Sequence, residues 1–122
     1  MRKKILICDD DSTLLNVYQF ILAKENADII TLSSSNELFS TAKQQVPALI
    51  ILDIMMPDKD GIRVLQELHG DPVTASIPVI MASAVVKPEI WKQAIKFGAR
   101  EFLEKPFNMT KMRETIRKYI AP

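Results

Sequence analysis

Ala48-Leu49-Ile50-Ile51-Leu52-Asp53-Ile54-Met55-Met56-Pro57-Asp58-Lys59-Asp60-Gly61 is the stretch on which the fold turns. An apolar run with no polar alternation reads as a strand buried on both faces, which is how strands of a covered parallel sheet look. The run stops at a carboxylate. Pro57 and Gly61 then mark a turn and loop. A charge at the exit of a buried strand belongs at a mouth of the sheet, because an isolated charge in the core would be costly. Three more places repeat the pattern. Ile5-Leu6-Ile7-Cys8 runs into Asp9-Asp10-Asp11, Val79-Ile80-Met81-Ala82 into Ser83, and Phe102-Leu103-Glu104 into Lys105-Pro106. Four apolar strands with polar ends predict one shared site at one edge of a parallel sheet.

Composition bounds the reading. The chain has 122 residues, of which 48% are hydrophobic and 25% charged, with a net charge of +1. This describes one globular domain with one core. No apolar stretch approaches the ~20 residues of a membrane span. The basic start, Arg2-Lys3-Lys4, is followed by too short an apolar run for a signal peptide, so a cytoplasmic location is the expectation. Cys8, the single cysteine, lies inside a strand and reads as a buried thiol rather than a redox centre. Near-neutral charge, with no clustered basic face, points away from nucleic acid.

Outward from residues 48–53, strand and helix signals alternate. A strand is predicted over about residues 4–9. A helix follows, capped by Asp11 or Ser12, with Leu14, Leu15, Val17, Tyr18, Ile21 and Leu22 at helical spacing. Asp28 to Leu32 reads as a short strand. Ser34 and Glu37 form a candidate capping box for a helix that Pro47 ends. A helix over about residues 61–68 carries Ile62, Leu65 and Leu68 on one face. Gly70, Asp71 and Pro72 mark a loop before the strand at 78–82. Pro88 suits the first turn of a helix bearing Ile90, Trp91, Ala94, Ile95 and Phe97, and Gly98 suits its end. The last strand is short, about 101–103. Asn108 caps a final helix with Met112, Ile116 and Ile120 inside. Five strands and five helices in alternation predict a doubly wound α/β sheet, with its ligand site beyond the carboxyl ends of the strands. The whole chain, 1–122, reads as one domain, and Ala121-Pro122 as the start of a tail or linker.

The predicted site has a definite chemistry. Asp9, Asp10 and Asp53 within about 5 Å of one another would repel by roughly 3 kcal/mol per pair at an effective dielectric near 20. Such a cluster calls for a cation. Oxygen-only ligands favour Mg²⁺, with Mn²⁺ as the alternative. The only histidine, His69, ends a helix, so no zinc grouping exists. A carboxylate beside Mg²⁺ is a nucleophile towards phosphorus. Lys105 can pair with phosphoryl oxygens and Ser83 can donate to one. Each feature also has a bland reading: three acids as a helix start favoured by the dipole, Ser83 as a cap, Lys105-Pro106 as a surface turn. Their joint occurrence at four strand ends favours the site.

With these residues in order, the sequence resembles the receiver domains of bacterial two-component response regulators, chemotaxis regulators among them, along its whole length. The resemblance implies a flavodoxin-like (βα)5 fold with strand order 2-1-3-4-5. It implies Asp53 as phospho-acceptor and Asp10, Asp53 and the Met55 backbone carbonyl as Mg²⁺ ligands, with Asp9 acting through water. Ser83 followed by Ala84 matches the family's hydroxyl and small residue, and Lys105-Pro106 its lysine and proline, commonly joined by a cis bond. It implies a sensor histidine kinase or histidine phosphotransfer protein as donor, and an unknown output partner or C-terminal output domain as reader. The domain would catalyse only its own phosphorylation and slow dephosphorylation. Phosphorylation would draw Ser83 inward and admit the ring of Phe102, changing the surface of the fourth helix, fifth strand and fifth helix.

Departures from the family carry expectations of their own. Arg100, Lys111 and Thr115 replace the residues whose salt bridges join an active dimer in the winged-helix subfamily, so that dimer is not expected. Met55 and Val85, both apolar, flank the site and would position water poorly, which predicts a long-lived phosphoryl group. Phe102 lacks the hydroxyl a tyrosine would bring to the switch. Two other readings compete. Asp9-Asp10-Asp11-Ser12-Thr13 also fits a haloacid-dehalogenase-type phosphatase, with Asp9 as nucleophile and Asp11 as acid/base. That reading lacks a metal-binding acidic pair after Lys105 and leaves Asp53, Pro57 and Gly61 unexplained. A receiver-like interaction module that is never phosphorylated is the third, and the complete acid, hydroxyl and lysine set argues against it. Trp91 reads as a core-packing aromatic or a partner contact.

Overall fold

The computed structural model describes residues 2–55, 60–84 and 87–121. The expected turn residue Pro57, the flanking Val85 and the terminal Pro122 lie outside the described residues. The chain alternates as β1 (Lys3–Cys8), α1 (Ser12–Leu22), β2 (Ala27–Leu32), α2 (Leu38–Gln45), β3 (Leu49–Asp53), α3 (Gly61–His69), β4 (Val79–Ser83), α4 (Pro88–Lys96), β5 (Ala99–Glu104) and α5 (Met109–Ile120). The strands form one parallel sheet in the order β2-β1-β3-β4-β5. This is the expected doubly wound, flavodoxin-like fold. Every residue of β3 and β4 is buried, whereas the edge strands β2 and β5 are mostly half-buried.

Alternation along the strands sorts the core into two layers. Ile5, Ile7, Leu49, Ile51, Ile80 and Ala82 face α1 and α5. Leu6, Cys8, Ile50, Leu52, Val79 and Met81 face α2, α3 and α4. Cys8 is buried, as expected of an inert thiol. A bulge interrupts the β4–β5 pairing: Val79 pairs with Ala99, but Ile80 pairs with Glu101, so Arg100 is passed over. The extra residue shifts the alternation. Ala99 and Phe102 therefore pack on the same layer, and Leu103 packs on the other.

Helix boundaries follow local chemistry. Asp11 caps α1, its carboxylate accepting from the Leu14 N–H at 3.2 Å. Asp60 caps α3 and Asn108 caps α5 in the same way. Pro88 occupies the first turn of α4. The expected Ser34–Glu37 capping box is replaced by something tighter. Ser34 Oγ accepts from the Asn36 N–H, which nucleates a 3₁₀ turn at Ser35–Glu37, and α2 begins only at Leu38 with no side-chain cap from Glu37. A hydroxyl bonded two residues on favours such a turn over an α start. The last strand is longer than expected, because backbone pairing with β4 carries it from Ala99 to Glu104.

Candidate functional site

The two-residue alternation that sorts the core also aims the site. Asp9 continues the Ile5, Ile7 row of β1, and Asp53 continues the Leu49, Ile51 row of β3. Lys105 continues from Leu103 past the end of β5. All three rows lie on the α1/α5 layer. At the carboxyl edge of the sheet these rows converge, and the Lys105 ammonium lies between the two acids. Its Nζ donates to Asp9 Oδ2 at 2.6 Å and to Asp53 Oδ2 at 3.1 Å. Asp9 is 2% exposed and Asp53 6%, so the acids of these ion pairs are buried while Lys105 is partly exposed. Asp10 is exposed beside them. One carboxylate oxygen from each of Asp9, Asp10 and Asp53 lies within 4.8 Å of the others.

The backbone holds these groups in place. Asp9 Oδ1 accepts from the Asp11 N–H at 2.9 Å, and Asp53 Oδ1 accepts from the Met55 N–H at 3.1 Å. The Lys105 N–H donates to the Ser83 carbonyl at 2.9 Å, and the bond from Lys105 to Pro106 is cis. Gly61 opens α3 against the backbone just after Asp53: its N–H donates to the Ile54 carbonyl, and a Cβ there would stand 2.4 Å from the Asp53 carbonyl oxygen. Only a residue without a side chain permits that approach.

Burial and charge act in opposite senses on the two partners. Burial pushes the Asp53 carboxyl up from its ordinary value. The Lys105 charge and hydrogen bond and the Met55 N–H pull it down without offsetting burial, and the Asp9 charge adds to the rise. Lys105 is held above its usual range: burial lowers it, but the bonds and charges of Asp9 and Asp53 outweigh that. Among the described residues, three carboxylates against one ammonium leave a formal excess of two negative charges in the cluster. A divalent cation bound by oxygen ligands matches that excess in charge and in chemistry. The cluster therefore has the donor set to hold a metal ion.

Ser83 and Phe102 lie apart from the ion pairs. Ser83 is 0% exposed and continues the Val79, Met81 row of the opposite layer. Phe102 packs on that layer too, with its ring edge-on to Trp91, centroids 4.6 Å apart. The two expected switch residues thus share a face, and Trp91 packs the core as its simpler reading held. Met55 is 62% exposed beside the site. Thr115 is buried, its hydroxyl donating to the Lys111 carbonyl at 2.8 Å, so it does not project from the surface. Asp11 directs its carboxylate to the start of α1. An apolar hollow of about 360 Å³ opens beside Lys105, lined by Leu14, Val17, Ala84, Pro106, Phe107 and Met109. Sequence reasoning did not link Tyr18 to the site; the signal was a tyrosine in an apolar row of α1.

Comparison with known proteins places the chain in a family. The model of the family described as "Response regulator receiver domain" matches residues 5–117. The chain is 30% identical to the alkaline phosphatase synthesis transcriptional regulatory protein PhoP of Bacillus subtilis, over 96% of this chain and 48% of that protein. It is 31% identical to the transcriptional regulatory protein KdpE of Staphylococcus aureus, over 96% of this chain and 49% of that one. It thus spans about half the length of these relatives. A CheY-like response regulator receiver domain protein from Methanospirillum hungatei superposes with a TM-score of 0.91 at 25% identity, covering 98% of this chain and 94% of that one.

Proposed function

The chain belongs to the response regulator receiver domains of two-component signal transduction, and from that premise we propose that Asp53 accepts a phosphoryl group from a phosphohistidine. In this reading residues 1–122 are one receiver domain. The donor is a sensor histidine kinase or a histidine phosphotransfer protein. The observation that carries the reading is Lys105 bridging Asp9 and Asp53 at the ends of three separate strands.

The Asp53 carboxylate attacks phosphorus. A P–O bond forms to the carboxylate as the P–N bond breaks, and the electron pair of that bond returns to the imidazole nitrogen. Asp10, Asp53 and the Met55 carbonyl would hold Mg²⁺, with Asp9 acting through water, and the ion supplies neutralisation of phosphoryl charge when bound. Lys105 is placed to leave its carboxylates for the new phosphoryl oxygens, keeping one charge-assisted contact throughout. Ser83 donates to another phosphoryl oxygen. The Phe102 ring exchanges its edge contact with Trp91 for the space beside Ser83, so the α4-β5-α5 surface changes and a partner reads it. The apolar hollow beside Lys105 offers that protein donor a surface next to the site. The domain acts on itself alone and turns over no other substrate.

Intact mass after incubation with a small phosphodonor and Mg²⁺ tests this. Wild type should gain one phosphoryl group and Asp53→Asn none. An adduct that survives in Asp53→Asn but disappears in Asp9→Asn would replace this reading with the phosphatase one. No adduct on any protein, from a small donor or a kinase panel, would leave an interaction module.

A further inference from the structure

Tyr18 stands about 9 Å along α1 from its first residue, Ser12, at 1.5 Å per residue. Helical side chains lean towards the N-terminus of their helix, and the N-terminus of α1 follows Asp9, Asp10 and Asp11. The phenol is thus carried back towards the acids. It lies on the α1/α5 layer, the one that Asp9 and Asp53 face. Its ring packs against Phe107, centroids 5.6 Å apart. The residue is 0% exposed. Among the described residues, its hydroxyl is the buried side-chain polar atom that has no hydrogen-bond partner. Burial, then the charges of Asp9 and Asp53, push the phenol up from its usual range, so it remains protonated and can only donate or accept as a neutral group. A buried hydroxyl without a partner is destabilising, and phenylalanine would fill the same space without one.

We propose that Tyr18 is a positioning residue of this site, its hydroxyl joined through one buried water to the Asp9 and Asp53 carboxylates. Polar partners on both sides are what a buried water requires. The role rests on the phosphoryl-accepting reading. In the present state Asp9 Oδ2 is paired with Lys105 and Oδ1 with the Asp11 N–H. When Lys105 turns to a phosphoryl group, the buried Asp9 loses its ammonium partner. The hydroxyl and its water then supply a donor to that carboxylate, and no covalent chemistry passes through Tyr18.

The test uses Tyr18→Phe, which keeps the ring and its packing. In wild type, magnetic resonance should show a slowly exchanging Tyr18 hydroxyl proton with a cross-peak to a long-lived water. At saturating small phosphodonor, Tyr18→Phe should be phosphorylated about 3- to 10-fold more slowly, the worth of one net hydrogen bond. Its half-saturating donor concentration should be unchanged, because the donor binds outside the core. Lack of the water signal overturns the proposal whatever the rate does. The signal with an unchanged rate overturns the positioning role. If neither protein takes a phosphoryl group, the reading of Asp53 fails, while the water signal still decides the link between Tyr18 and the acids.

Discussion

At Asp53 burial and pairing pull against each other. Burial raises its carboxyl above the ordinary value of 3.8, and Lys105 offsets that only in part. Folding therefore favours the protonated acid. The stability this contributes is complete below about pH 3.8, the unfolded value, and is lost as pH rises through the folded value. In chelator-treated protein, Asp53→Asn keeps the shape without the charge. It should have a higher urea midpoint than wild type at pH 7, and the gap should close on acidification below about pH 4. Equal midpoints at pH 7 would show that Lys105 already compensates the charge in full. The place of Asp53 in the acidic cluster was legible in the sequence because a carboxylate that ends an apolar run has few structural explanations. Tyr18 was not, since a tyrosine in an apolar row of a helix reads as core and only its missing partner distinguishes it.

Among the elements, α2 ends under strain. Val46 has φ 44° and ψ 65°, a left-handed conformation, with its N–H donating to the Ala42 carbonyl. Pro47 bars Val46 from continuing the helix, and a β-branched residue tolerates the left-handed region poorly. Val46 is 54% exposed, so little packing is at stake. Val46→Gly should raise stability by about 0.5–1 kcal/mol, the relief of strain exceeding the added freedom of the unfolded chain. Urea unfolding decides it, and a lowered midpoint would show that Val46 packs more than its exposure implies. The helix stop itself was legible from Pro47. The 3₁₀ turn before α2 was not, because Ser-x-x-Glu spacing serves a capping box and a hydroxyl-capped turn alike. The two outer elements are tied by charge as well: Glu101 on β5 accepts from Tyr119 and Lys118 on α5. Burial and the Glu101 bond push the Tyr119 phenol up to about 12.

The whole molecule is a single sheet with two apolar layers. Ile116 of α5 lies in one and Ile50 of β3 in the other, both fully buried. Ile116→Val and Ile50→Val should each cost about 1 kcal/mol. The sheet separates them, so the double variant should lose the sum within about 0.5 kcal/mol if unfolding is one cooperative transition. A larger loss in chemical denaturation would reveal coupling through the sheet, as a switch between two packings requires.

By itself the sequence determined the alternation of strands and helices, the polar strand ends and the set of acids, hydroxyl and lysine. These are written in local patterns, namely period, caps and the residue types that follow each apolar run. Which groups share a face was decided by tertiary structure. The bulge at Arg100 sets the alternation of β5, so that Phe102 packs with Trp91 on one layer while Leu103 faces the other. Strand register brings Lys105 to both Asp9 and Asp53, and the packing of α1 on the sheet buries Tyr18 in the layer that those acids face. Such relations depend on pairings between residues far apart in the chain, and the period of no single segment records them.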